Sequence, residues 1–274
     1  MRISEVLREL DPQHSLPFVN RIYASTCGST NEIGKRIAAA SNHGFEGRSS
    51  GIDHWTSARP WLIVALEQSR GKGRLGNRWQ SPIGGIYVTI VLPAFPTCDL
   101  HNLPLLAGVG LCKGIEIVSG QTCRLKWPND LQIRGKKVGG ILIESSARKP
   151  GVGYAVIGFG VNFQSPPEDV PYPATAILEE AEGRPQYAST VRTLVSALSR
   201  ELDHWNDSSY ATKVFSQFTA HRVGESMTCR MRGGSVTGTF LGFDPGGFLR
   251  LKVDGSEQVL AATEIVPATP EPEL

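Results

Sequence analysis

Residues 68–79 read QSRGKGRLGNRW, which puts three glycines and four cations into twelve positions. Glycine lets backbone approach a ligand closely, and successive free amides can form a nest for an anion. Lysine and arginine add charge suited to phosphate or carboxylate oxygens. The run is not the phosphate loop of the nucleoside triphosphatases, because Gly71 to Gly76 is followed by Asn77 where that motif needs lysine. On composition alone, a solvated basic loop is the competing reading. A second candidate is KWPND at 126–130 with the hairpin pattern that follows it. If Arg134 and Gly135 form a two-residue turn, Ile133 pairs with Lys136, Gln132 with Lys137 and Asp130 with Gly139. Asp130, Gln132 and Lys137 then share one face, and Leu131, Ile133 and Val138 line the other. Gly139 would leave open space opposite Asp130. An acid and a lysine above such a space suit a metal–nucleotide site, with Asp130 holding Mg²⁺ and Lys137 meeting an α-phosphate. A three-residue turn would shift the pairing, and an ordinary surface Lys–Asp pair is the alternative.

Two shorter segments join these. Ser29, Thr30 and Asn31 open a helical pattern, and Glu32 stands three residues after Ser29 as in a capping box. Hydroxyls and free amides at a helix start can also take polar ligand groups. In GFGVN at 158–162, two glycines inside a strand pattern call for close approach by something, and Asn162 is a candidate ligand contact.

The elements that must position these groups follow from periodicity. Residues 1–20 read as a leader or first helix, and 41–60 as a long Gly/Ser/His/Asn-rich loop. Strands are expected at 61–66, 85–92, 124–127, 131–133, 138–143 and 154–162. A proline-rich loop covers 163–173. Residues 101–118 read as a mostly buried helix through Leu103, Leu106, Val109, Ile115 and Ile117. Gly108-x-Gly110 lies inside that helical pattern and lacks the third glycine of a dinucleotide fingerprint. A second helix spans 190–205. After residue 218 the pattern becomes all-β, with Gly-Gly and Asp-Gly turns. A barrel of about 50 residues needs docking against a larger body to be comfortably stable. The expected division is a catalytic domain over 1–217, a small β-domain over 218–267 and a frayed tail over 268–274.

Composition narrows the class. The 274 residues are 40% hydrophobic and 20% charged, with a net charge of +2. Such a balance gives no bulk attraction to nucleic acid. The start, MRISEVLREL, has no apolar signal core, and the greasy run at 86–95 is too short to span a bilayer. A cytoplasmic location with no membrane partner is expected. The five cysteines, Cys27, Cys98, Cys112, Cys123 and Cys229, are widely spaced without C-x-x-C, so neither a disulfide framework nor a zinc site is expected. Cys112 reads as core.

In this order the segments resemble the biotin protein ligase family over roughly residues 20–265. Ser29-Thr30-Asn31 is similar to its S-T-N segment, and residues 68–82 to its glycine-basic signature. KWPND at 126–130, KVGGILIE at 137–144 and G-x-GVN at 158–162 match three further blocks, and the C-terminal β-region resembles its SH3-like domain. The resemblance implies an α+β fold: a mixed, largely antiparallel sheet with helices, of the class II synthetase-like kind, plus a small C-terminal SH3-like β-barrel. It also implies that biotin's carboxylate attacks the α-phosphate of Mg-ATP, and that the biotinyl adenylate passes its acyl group to a lysine of a biotin carboxyl carrier domain. Matching positions give Lys137, Arg74 and Asp130 as catalytic. Ser29, Thr30, Asn31, Gln68, Gly71, Lys72, Gly73, Arg74, Lys137 and Gly140 would bind biotin. Arg74, Lys126, Trp127, Asn129, Asp130, Lys137 and Asn162 would bind ATP and adenylate. Asp130 would hold magnesium. The expected partner is the carrier protein or domain of acetyl-CoA carboxylase or a related carboxylase, acted on by a monomer or homodimer.

Two departures stand out. Lys72 replaces a frequent arginine, keeping charge but losing the guanidinium fork, and Asn77 replaces another. Residues 41–60 have no family counterpart. There is no room before Ser29 for a helix-turn-helix, so a repressor role by that route is not expected. The alternatives are a lipoate or octanoate ligase, or an idle biotin-binding regulator. A nucleic-acid-binding module is the weakest, since aromatic interleaving is missing.

Overall fold

The computed structural model describes residues 20–40, 60–96, 100–149, 152–231, 234–260 and 264–266. The expected first helix, the 41–60 loop apart from Pro60, and the tail lie outside these residues.

A seven-stranded sheet runs in the order β1-β2-β3-β7-β6-β5-β4. The strands are β1 (Asn20–Ala24), β2 (Trp61–Ala65), β3 (Ile86–Pro96), β4 (Cys123–Lys126), β5 (Asp130–Ile133), β6 (Lys136–Lys149) and β7 (Val152–Val161). Only β1 and β2 pair in parallel; the other neighbours are antiparallel. Alternate side chains on a strand point to opposite faces. Leu62, Val64, Val88 and Ile90 accordingly enter a large core, while Ile63, Val91 and Val156 pack with Ala38 in a smaller one. Helix α1 (Thr30–Ala40) covers the small core, and α2 (Asn102–Ser119) contributes to the large one. A short α3 (Ile177–Glu180) follows β7, and α4 (Tyr187–Leu202) packs on α2.

The packing of α2 explains the glycines at 108 and 110: Gly108 faces Leu125 of β4, and Gly110 faces α4. A β-carbon on Gly110 would lie 2.6 Å from Leu198 Cα, so the two backbones touch where a side chain cannot fit. Ile117 is a correction. It is 64% exposed, because two residues on from buried Ile115 it has turned away from the core. Among the described residues α2 is the one helix long and apolar enough to cross a membrane, a longer apolar run than 86–95. It is 72% buried within the fold.

Helix α5 (Ser208–Phe218) leads to a second, five-stranded sheet ordered β11-β10-β9-β8-β12. Its strands are β8 (Ser226–Met231), β9 (Gly234–Phe243), β10 (Leu249–Val253), β11 (Ser256–Leu260) and β12 (Glu264–Val266). The expected Asp-Gly turn joins β10 to β11, with Asp254 at φ 48° and Gly255 at φ 82°. This sheet is docked on the rest. Gly247 abuts Leu105 of α2, and the Phe215 and Phe243 rings meet edge-on at 4.9 Å. Met227, Phe240, Leu249 and Leu251 join the same core as α2.

Candidate active site

The β5–β6 hairpin carries the expected two-residue turn, with Arg134 at φ 51° and Gly135 at φ 77°. Ile133 pairs with Lys136 and Gln132 with Lys137. Beyond that the register slips by one residue, so Leu131 opposes Gly139 and Asp130 opposes Gly140, not Gly139. The cause is competition for backbone hydrogen bonds. Lys137 N donates to Pro173 O (2.8 Å), Lys137 O accepts from Thr175 N (3.0 Å) and Val138 O accepts from Asn162 N (2.8 Å). These groups are taken by the 162–175 segment, and a bulge forms in the hairpin. Its consequence is chemical. Gly139 packs against Gly160 O and Leu131, whereas Gly140 faces Trp79 and the Lys137 side chain. Gly140 is therefore the open floor beside Asp130.

Lys137 and Asp130 form an ion pair at 2.7 Å, with side chains only 16% and 24% exposed. The Lys137 ammonium also lies 5.4 Å from the Trp79 ring centre and 4.9 Å from that of Tyr172. An ammonium over two aromatic faces is held by their quadrupoles as well as by the carboxylate. This is not the freely solvated pair of the competing reading.

The S-T-N segment sits at the start of α1, but the capping box does not form as expected. The Glu32 carboxylate is engaged by Lys35 and Lys72, and these two ammoniums pull its pKa down to about 2. The Thr30 amide is instead capped from a distance by Gln68 Oε1 (2.8 Å), which also accepts from Thr30 Oγ1 (3.1 Å). Gln68 Nε2 donates to Ser81 Oγ (3.0 Å). Asn31 reaches across to the sheet, donating to Leu142 O (3.2 Å) and Glu144 Oε2 (3.0 Å), with Oδ1 2.7 Å from the Thr89 hydroxyl. Gln68 and Asn31 thus brace the helix start. The Ser29 hydroxyl makes no hydrogen bond among the described residues and lines the cleft.

The paired glycines of β7 answer the close-approach question. A β-carbon on Gly158 would fall 2.0 Å from Asn31 Oδ1, and one on Gly160 would fall 2.4 Å from Trp79 Nε1. The strand is pared back to admit two site side chains.

The basic loop folds back on itself. Gly73 N donates to Asn77 O (2.7 Å), Trp79 N donates to Gly71 O (3.0 Å), and a single 3₁₀ turn spans Arg74–Gly76. Across the cleft, Arg74 Nη1 lies 3.4 Å from Asn129 Oδ1, while Asn129 Nδ2 donates to Ile141 O (2.9 Å).

These segments enclose one cleft of about 690 Å³, within the range of sites for small organic ligands. Its lining includes Ser29, Thr30, Asn31, Gln68, Lys72, Gly73, Arg74, Lys126, Trp127, Asn129, Asp130, Lys137 and Gly140. Two expected site residues are not in the lining. Gly71 is packed behind the loop, where a β-carbon would strike Ser81 Oγ and Trp79 O. Asn162 is buried, donating to Thr175 O (3.0 Å), and its backbone fixes Val138. Asn162 helps to set the bulge. Tyr172 and Arg230 also line the cleft and were missed. Tyr172 sat in a proline-rich loop with no motif, and Arg230 in a strand of the other sheet.

Comparison with known proteins follows the same lines. The model of the biotin/lipoate A/B protein ligase family matches residues 43–162, a range that takes in most of the 41–60 stretch expected to lack a family counterpart. A biotin–[acetyl-CoA-carboxylase] ligase from Paracoccus denitrificans is 30% identical over 218 residues, covering 76% of this chain and 90% of that protein. The bifunctional ligase/repressor BirA of Bacillus subtilis is 31% identical over 209 residues, 73% of this chain. The match covers 64% of that relative's length. Among solved structures, the Aquifex aeolicus biotin protein ligase in complex with biotin and ATP gives a TM-score of 0.69 at 23% identity, covering 91% of this chain and 98% of that one. At that identity the likeness speaks for the fold, a mixed α+β sheet with a further C-terminal sheet. The extent of the Paracoccus match decides the assignment, and this chain belongs to the biotin/lipoate A/B protein ligase family, among the biotin protein ligases.

Proposed function

We propose that this chain is an ATP-dependent biotin protein ligase that forms biotinyl-5′-AMP and transfers biotin to a lysine of a biotin carboxyl carrier domain of acetyl-CoA carboxylase or a related carboxylase. One observation carries the reading. Among the described residues the cleft is lined by six cations, Lys72, Arg74, Arg78, Lys126, Lys137 and Arg230, against one carboxylate, Asp130. Joining a carboxylate to a triphosphate brings two anions together, and fixed cations lower that barrier. The name of the Paracoccus relative supports the choice of acceptor. The free thiols of Cys27, Cys112, Cys123 and Cys229 fit a reducing, cytoplasmic setting. We further assign the 218–267 region as an SH3-like domain and 1–217 as the catalytic domain, in keeping with the five-stranded order of the second sheet.

Biotin's ring sits by the Ser29 hydroxyl and the braced helix start, with its carboxylate toward Lys137. A carboxylate oxygen attacks the α-phosphorus and pyrophosphate leaves. Lys137 stabilises the charge shared by carboxylate and phosphate, held in place by Asp130, Trp79 and Tyr172. Arg74, tied to Asn129, closes the loop over the mixed anhydride and limits hydrolysis. The acceptor amine then attacks the acyl carbon, loses a proton, and AMP leaves.

No cluster of three metal-ligating side chains occurs among the described residues. The donor set of Asp130 with Asn129 fits magnesium brought in on phosphate oxygens, since such ions need one or two carboxylates. Magnesium would neutralise phosphate charge there.

The test is pyrophosphate release from ATP by the purified chain. Release is expected with biotin and not without it, and lipoate in place of biotin tests the related ligase activity. Lys137→Ala should slow adenylate formation by at least about 10²-fold, the scale of losing a key charge stabiliser. Near-normal turnover in that variant removes Lys137 from the mechanism.

A further inference from the structure

A polar contact joins the cleft wall to the segment that leads into the C-terminal sheet, and the chemistry described above does not use it. After α5 the chain runs along the free edge of β4. Thr219 bridges to Leu125, and Ala220 N donates to Leu125 O (2.8 Å). The next residue, His221, lies at the end of that strand with its side chain only 8% exposed. Its Nε2 lies 3.1 Å from Trp127 N. Trp127 follows directly on β4, where the chain turns into the cleft wall formed by Lys126, Trp127, Asn129 and Asp130. Its indole is tied to the same side, with Nε1 donating to Gly247 O (3.3 Å).

The partners fix the tautomer. A backbone N–H can only donate, so Nε2 must present its lone pair. The ring proton then sits on Nδ1 and is donated to Glu225 Oε1 (2.8 Å). A second proton would place N–H against N–H and abolish the Trp127 bond. The charged groups facing the ring are Glu225 and, more distantly, Lys126. The Phe240 ring closes another side at 5.8 Å between centroids. Burial holds the His221 pKa below its usual 6.5, Lys126 acts in the same direction, and Glu225 opposes both.

We propose that His221 is a positioning residue for the nucleotide end of the cleft: its Nε2 bond to the Trp127 amide sets the 126–130 turn, and protonating the ring releases that turn. The biotin end is braced separately, by Gln68, Thr89 and Glu144, none of which touches His221. Nucleotide affinity therefore falls on protonation while biotin affinity does not. The proposal rests on the ligase reading for what the two ends bind.

Steady-state kinetics from about pH 8 to about pH 5 test it in the wild type, His221→Gln and His221→Leu. In the wild type the KM for ATP should rise about tenfold on the acid side, as for a lost buried hydrogen bond, with the biotin KM steady. Gln can accept from Trp127 N without titrating, so the acid-side rise should vanish in that variant. Leu should show the raised ATP KM at every pH. An unchanged pH profile in the Gln variant, or ATP and biotin KM values rising together, overturns the proposal. A second measurement stands apart from turnover. In protein labelled with ¹⁵N-tryptophan, the Trp127 amide, assigned through Trp127→Phe, should titrate below pH 6.5 in the wild type and not in His221→Gln. A Trp127 amide that ignores pH removes the contact even if the enzyme is active. An amide that titrates in a chain that releases no pyrophosphate keeps the contact and refutes the ligase reading instead.

Discussion

Replacing Gly158 with alanine should damage the site from the floor of the cleft. The new β-carbon would fall 2.0 Å from Asn31 Oδ1 and 2.7 Å from its Cγ, both inside contact distance. Neither partner has room to give way. Gly158 is paired on both sides, with Thr89 of β3 and Leu142 of β6. The α1 backbone is held by the Gln68 cap and packs closely on the sheet, where a β-carbon on Gly34 would lie 3.0 Å from Val91 and Val156. Only the Asn31 side chain can move, and moving it breaks its contacts with Thr89, Leu142 and Glu144. Overpacking costs about 1–3 kcal/mol, and each lost hydrogen bond adds about 0.5–1.5 kcal/mol. With part of the amide recovering other partners, the sum is about 2–4 kcal/mol. At about 2–4 °C per kcal/mol for a chain of this size, Tm should drop by about 5–15 °C. Biotin affinity should fall as well, because Asn31 lies beside Ser29 in the cleft wall. Thermal unfolding and calorimetry on single and double variants separate the causes. Asn31→Ala alone loses the hydrogen bonds but makes room. Gly158→Ala in that background should therefore cost almost nothing more. If the second substitution costs as much with Asn31 truncated as with it intact, the steric account is wrong.

The aromatic pair around Lys137 gives another expectation. Tyr172→Leu should raise the KM for ATP about two- to fivefold, from a cation–π contribution of about 0.5–1 kcal/mol. Tyr172→Phe should restore most of it, since the ring and not the hydroxyl meets the ammonium. A Phe variant as impaired as Leu would point to the hydroxyl instead. Glu32 should titrate near 2 by ¹³C NMR, because its hydrogen bonds from Lys35 and Lys72 favour the carboxylate. Its folded pKa lies below the ordinary 4.5. Whatever the triad contributes is thus fully present above that value and is lost as pH falls toward 2. Lys72→Ala should move the midpoint upward, and an unmoved midpoint would show that Lys72 does not reach Glu32 in solution.

Most of the sheet was legible because its strands carry their own signal. The buried runs at 61–65 and 86–92 and the Arg134-Gly135 turn are local facts, set by side-chain period and by φ. The elements that escaped show where local signals end. Strand β1 is half-buried at every position, so it has no alternation to read. Helix α5 had readable signals. Asp207 caps Tyr210 N at 2.8 Å, and Ala211, Val214 and Phe215 form its buried stripe. That stripe is short, and it falls just where the chain changes from helical to β patterning.

The site divides along the same line. That Lys137, Asp130, Arg74 and Ser29 belong together was readable from residue types and from the resemblance. Which glycine floors the pocket was not. Counting back from a two-residue turn gives Gly139 opposite Asp130, and nothing between residues 130 and 140 contradicts it. The answer lies in residues 162–175, which take the backbone hydrogen bonds of Lys137 and Val138 and force the extra residue into β6. A slip of one residue in a strand exchanges its faces. The bulge therefore turns Gly140, instead of Gly139, toward Trp79 and the Lys137 ammonium. Asn162 matters for the same reason. Its backbone and amide hold the segment that displaces the hairpin, so it shapes the cleft from behind the wall.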